Sequence, residues 1–149
     1  MPLSAILPVE RVRVGLSVPT KGDLFAELAT LLAGELPRTA TEAALQARER
    51  LGSTGLGRGV AIPHGRSAEA GTVRAAFVRL AEPIEFGADD GQPVDLVAAL
   101  IVPAHFTDQH LRLLAELAEL FGDPDRVRAM RGAADAVALH ALLGSRPRD

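Results

Sequence analysis

The stretch Ser53–Arg66, STGLGRGVAIPHGR, places His64 directly behind a short apolar run and Pro63, with Gly65 immediately after it. A neutral imidazole is a nucleophile near pH 7 and can carry a phosphoryl group as a phosphoramidate of high transfer potential. No metal is needed to make that nucleophile, and the pattern calls for no cofactor. Upstream, Gly55, Gly57 and Gly59 make a loop whose backbone N–H groups can turn toward an anion. Ser53 and Thr54 add hydroxyls, and Arg48 adds a guanidinium. A phosphorylated imidazole carries roughly two negative charges at pH 7, and each charge-assisted hydrogen bond to it is worth about 1.5–3 kcal/mol. On residue types alone, an ordinary turn histidine fits the same stretch.

Either reading depends on the elements that hold the stretch in place. The segment TKGDLFAELATLLAGELP sets Leu24, Phe25, Leu28, Leu31 and Leu32 on one helical stripe, with Gly34 and Pro37 as stop signals. A second helix is expected in TATEAALQARERLG, capped by Thr41, with Ala44, Leu45 and Leu51 as candidate buried positions and Gly52 as the breaker. RGVAIP then reads as a buried strand between Gly59 and Pro63. Because proline has no N–H, that strand is expected to stop at Pro63 and leave His64 where the sheet ends. TVRAAFVRL alternates imperfectly, and VDLVAALIV is a continuous apolar run expected to be covered on both faces. GADDGQP joins the two as a turn.

The last third is helical. Thr107 is a candidate cap for DQHLRLLAELAELFG, whose stripe is Phe106, His110, Leu113, Leu114, Leu117 and Phe121. Asp123 followed by Pro124 is a specific helix start, GAADAVALHALLG ends at Gly144, and residues 145–149 are expected to fray. Helices around intervening strands predict an α/β domain of two or three layers spanning residues 1–149.

Other candidate groups are weaker. His105 and His110 are five residues apart, which is not metal-ligand spacing on one helix, and no third ligand follows, so no metal site is expected. His140 suits the negative end of the last helix and reads as structural. Asp89 and Asp90 are explained by turn chemistry.

A formal charge of −3 and a pI near 5.8, with five Phe and no Trp or Tyr, leave neither a basic footprint nor stacking platforms for nucleic acid. The chain has no cysteine, which fits a reducing compartment. MPLSAILPVERVRV lacks a charged region followed by a long apolar one, and the run Leu96–Val102 is far short of the ~20 residues that cross a bilayer. A cytoplasmic protein, peripheral to a membrane at most, is the expectation.

ARERLGSTGLGRGVAIPHGR, together with ILPVERV, DGQPVDLVAALIVP and HLRLLAELAELF, resembles the fructose/mannitol/nitrogen-regulatory family of enzyme IIA components of the bacterial phosphoenolpyruvate-dependent phosphotransferase system. The resemblance covers nearly the whole chain. It implies a mixed central β-sheet flanked by helices. It also implies that His64 accepts a phosphoryl group, by its Nε2, from the phosphocarrier protein HPr or its nitrogen-branch counterpart. His110 corresponds to the family's second active-site histidine, with a role in orienting His64 or binding its phosphate. Arg48 matches a phosphate or partner contact, Ser53 and Thr54 match the Ser-Thr pair with Thr54 shaping the loop, and Gly65 completes the signature. Arg50 and Arg58 are expected to be solvated. A chain without a membrane span or room for a IIB or IIC unit favours the nitrogen-regulatory type, acting on regulated target proteins. The alternatives are a sugar-type IIA that passes the phosphoryl group to a separate IIB, and a IIA-like interaction module.

Overall fold

The computed structural model describes residues 3–105 and 108–144. A short helix α1 (Leu3–Ile6) and a 3-10 turn (Val9–Arg11) lead into strand β1 (Val12–Leu16), followed by helices α2 (Lys21–Ala33) and α3 (Arg38–Glu49). Strands β2 (Gly55–Gly57), β3 (Val60–Ala61), β4 (His64–Ser67), β5 (Arg74–Ile84) and β6 (Val94–Pro103) come next, then helices α4 (Asp108–Phe121), α5 (Pro124–Gly132) and α6 (Ala136–Gly144).

The sheet is mixed, in the order β1-β5-β6-β3-β2, with β4 also on β6. β5 and β6 are antiparallel, whereas β1 lies parallel to β5 and both β3 and β4 lie parallel to β6. Both faces are covered, as expected for VDLVAALIV. Along β6, Leu96, Ala98, Leu100 and Val102 pack with the face that carries α4, α5 and α6, while Val97, Ala99 and Ile101 pack with α2 and α3. The imperfect alternation in TVRAAFVRL has the same cause: Ala75 and Phe77 enter one core, Ala76 and Val78 the other. A strand covered on both sides has no solvent face to demand polar residues. The result is a three-layer α/β sandwich.

Several helix signals act as expected. Asp123 caps α5 by accepting from the N–H groups of Asp125 and Arg126, with Pro124 in the first turn, and Gly34 at φ 55° ends α2. His140 is structural: its Nε2–H donates to the Leu7 carbonyl at 2.8 Å and ties α6 to the N-terminal segment. Asp90 serves the turn, accepting from the N–H groups of Arg58 and Gln92.

Three expectations are corrected. Thr41 does not cap α3: the helix starts at Arg38 after Pro37, and the buried Thr41 hydroxyl donates back to the Pro37 carbonyl at 2.9 Å. Leu51 is 84% exposed, because α3 ends at Glu49 and the chain turns away from the core there. The sheet does not end at Pro63. Val60 pairs with Leu96 and His64 pairs with Leu100 in one unbroken register along β6. Pro63 loses only its donor, and its carbonyl still accepts from the Leu100 N–H at 3.0 Å, so the ladder is interrupted rather than stopped. The expected cap Thr107, the stripe residue Phe106 and the tail 145–149 lie outside the described residues.

Candidate functional site

Side chains of successive strand residues point to opposite faces of a sheet. Val60 and Ile62 therefore face α4, and His64 follows them to that face, while Gly65 turns toward α2 and α3. A Cβ on Gly65 would lie 2.6 Å from the Ala44 backbone and 2.9 Å from the Leu45 nitrogen. Only glycine lets α3 approach β4 so closely. That contact seats the middle of α3 on the strand that carries His64, and Arg48 follows one turn later in the same helix. Gly65 thus faces helix backbone and acts on the site through α3.

His64 opens onto a cavity of about 200 Å³ whose wall includes Arg48, Ser53, Thr54, Ile62 and Leu114. The structure therefore brings together four of the residues singled out from sequence. His110 is buried in α4, one turn ahead of Leu114, and is not among the residues that line the cavity. The glycine loop divides. Gly55 lines the cavity, but the Arg58 N–H is held by Asp90 at 2.8 Å, and Gly59 packs against Arg131 at the far end of β3. Gly57 and Gly59 form a hairpin turn around Arg58, which takes φ 57°, and not an anion cradle at His64.

The imidazole is fixed by its own strand. Its Nδ1 lies 2.9 Å from the Ile62 carbonyl. A carbonyl can only accept, so Nδ1 carries the proton and Nε2 holds the lone pair of the neutral ring. Among the described residues Nε2 has no hydrogen-bond partner. Burial is the largest influence on the ring and pulls its pKa below the ordinary 6.5; the Ile62 carbonyl and Glu49 pull the other way, and Arg48 and Arg66 reinforce the drop. The ring is thus a neutral nucleophile at neutral pH.

The surrounding donors are not equivalent. Arg48 Nη1 donates to the Gly52 carbonyl at 2.8 Å, closing the loop after α3. Ser53 Oγ accepts from the Gly55 N–H at 3.1 Å, which leaves its own proton to give. Thr54 is buried, and its hydroxyl donates to Glu49 Oε1 at 2.7 Å, so that proton is spent on the loop. Sequence reasoning missed Glu49 and its partner Lys21, whose Nζ lies 2.9 Å from Glu49 Oε2. The signal available was a glutamate in the last turn of a helix beside a Ser-Thr loop. Lys21, on another helix, carried none.

The family model for the phosphoenolpyruvate-dependent sugar phosphotransferase system, EIIA 2, matches residues 5–145. The chain belongs to this EIIA 2 family. It is 39% identical over 150 residues to a nitrogen regulatory protein of Bradyrhizobium diazoefficiens, covering 99% of this chain and 97% of that protein. The crystal structure of nitrogen regulatory protein IIA-Ntr from Neisseria meningitidis superposes with a TM-score of 0.92 at 40% identity, covering 95% of this chain and 98% of that one. Enzyme IIA of the mannitol system from Escherichia coli, in its complex with phosphorylated IIB, shares the fold, with a TM-score of 0.76 at 21% identity over 93% and 97% of the two chains. In this EIIA 2 member, the strand break at Pro63, the glycine behind it and the α3 turn all converge on one neutral imidazole.

Proposed function

We propose that His64 is the phosphoryl acceptor of this EIIA 2 protein and that the chain works as a phosphotransfer carrier of the nitrogen-regulatory type. The observation that carries this reading is the Nδ1–H bond to the Ile62 carbonyl, which presents Nε2 as the nucleophile beside Arg48 and Ser53. In the transfer, the Nε2 lone pair attacks phosphorus in line while the bond from phosphorus to the donor imidazole of an HPr-type carrier breaks. The donor nitrogen leaves with that electron pair. His64 keeps its Nδ1 proton, and the imidazolium so formed is stabilised by the Ile62 carbonyl. Arg48 and Ser53 face the incoming phosphoryl oxygens and supply charge-assisted donors where charge gathers in the transition state. His110 supports the α4 wall of the site and the orientation of the loaded ring.

Full-length similarity to proteins named nitrogen regulatory proteins supports an output exerted on target proteins according to phosphorylation state. Handing the group to a IIB protein is the second reading, favoured by the mannitol IIA complex with its phosphorylated IIB. The absence of any helix long and apolar enough to cross a membrane among the described residues fits an encounter with diffusing carriers. The test is intact-mass measurement after incubation with phosphoenolpyruvate, enzyme I and HPr, or with the nitrogen-branch carriers. One acid-labile phosphoryl group is expected on the wild type and none on His64→Ala. A label that persists in His64→Ala would refute the assignment.

A further inference from the structure

The Lys21–Glu49 pair sits outside the cavity, yet a continuous set of hydrogen bonds joins it to the reacting ring. Glu49 has its side chain only 6% exposed and accepts three bonds. Lys21 Nζ approaches Oε2 at 2.9 Å, the Thr54 N–H reaches the same oxygen at 2.9 Å, and the Thr54 hydroxyl reaches Oε1 at 2.7 Å. Lys21 is itself held from the other side, donating to the Phe86 carbonyl at 2.8 Å with its ammonium 4.1 Å from the Phe86 ring centroid. The Thr54 carbonyl then accepts from the Ile62 N–H at 3.0 Å, and the Ile62 carbonyl accepts from His64 Nδ1 at 2.9 Å. Each link is made by the residue that makes the next. Among the described residues, only the Glu49 side chain holds Thr54 through both its backbone N–H and its hydroxyl.

We infer that Glu49, anchored by Lys21, is a positioning residue for phosphoryl transfer: by gripping Thr54 at two atoms it sets the Ile62 carbonyl that orients the His64 ring. This rests on His64 being the acceptor. A buried carboxylate is costly unless it is paired and bonded, and here three donors meet that need, two of them from one loop residue. A carboxylate that merely stabilised the fold would have no reason to spend two of its three bonds on the residue that starts the path to the imidazole. Reaction rates are sensitive to such placement, since a misplacement of about 1 Å can cost ~100-fold in rate.

Two variants separate positioning from stability. In Glu49→Gln the amide keeps an acceptor for the Thr54 N–H and a donor for its hydroxyl oxygen, whereas Glu49→Ala keeps neither. Transfer from the phosphorylated carrier protein is timed well below the melting temperature of each variant, alongside the ¹⁵N shifts of the His64 ring. Glu49→Ala is expected to lower kcat at least about tenfold with KM little changed, and to move the Nδ1 and Nε2 shifts toward the mixed-tautomer average. Glu49→Gln is expected to recover the rate to within about threefold. If Glu49→Ala lowers the melting temperature but leaves both rate and ring shifts at wild-type values, the inference is overturned and Glu49 is a fold residue only. Absence of labelling in the wild type would instead sink the acceptor assignment, and the ring shifts would still report on the link from Glu49 to His64.

Discussion

Acidification protonates His64 in the unfolded chain before it does so in the folded one, because burial, with help from Arg48 and Arg66, holds the folded pKa below 6.5. Between those two values the unfolded state binds more protons, so stability rises with pH across that window. Above 6.5 the ring is neutral in both states and this effect vanishes; beneath the folded pKa the full penalty applies. The wild type is therefore expected to lose stability relative to His64→Gln as pH falls through 6.5, in denaturant titrations read at matched pH values. A constant difference across that range would contradict the environment described for the ring. At this scale the sequence was informative about residues that sit close together along the chain. Arg48, Ser53 and Thr54 lie within one helix end and loop of His64, and their types announce anion chemistry. Lys21 was illegible, since its meaning depends on a helix pairing that brings it to Glu49 from far along the chain, whereas Glu49 carried a local signal that residue type alone did not single out. The division of labour between the two hydroxyls was legible for Thr54 as a loop former, but Glu49 as its acceptor was not.

At the scale of elements, the site depends on how closely α3 approaches β4. A methyl group on Gly65 must displace helix backbone, which cannot swing aside as a side chain can. Gly65→Ala is expected to cost about 1–3 kcal/mol in denaturant unfolding, in the range of core overpacking, and to slow phosphorylation of the fraction that remains folded. Unchanged stability would mean that α3 is not seated on the strand as described. A glycine directly behind His64 was legible in the sequence, but what it makes room for was not; the answer is a helix. Elements whose signals are local, such as the Asp123–Pro124 start of α5 and the two-faced apolar run of β6, were readable directly. The continuation past Pro63 was not, because proline removes a donor while the neighbouring strand, far along in sequence, decides whether the remaining acceptor is used. Thr41 misled for a related reason: a threonine near a helix start satisfies its hydroxyl equally well by bonding back to a carbonyl one turn earlier.

Across the whole molecule, one sheet separates two cores, and His64 lies on the face covered by α4 while the residues that hold the neighbouring loop come from α2 and α3 on the other. The arrangement joins both layers at the single strand break around Pro63. Periodicity and the family resemblance were enough to read the layers and the mixed sheet, but β1 at the sheet edge escaped, since its short VRVGL alternation lies in a stretch dominated by proline and charge. In the proposed transfer, His64 Nε2 takes the phosphoryl group while Nδ1 stays bonded to the Ile62 carbonyl. Nitrogen-15 and phosphorus-31 NMR of the protein phosphorylated through its carrier reads both at once. Phosphorus coupled to Nε2, with Nδ1 still protonated, is the expected result. Phosphorus on Nδ1, or on any residue other than His64, would exclude this transfer.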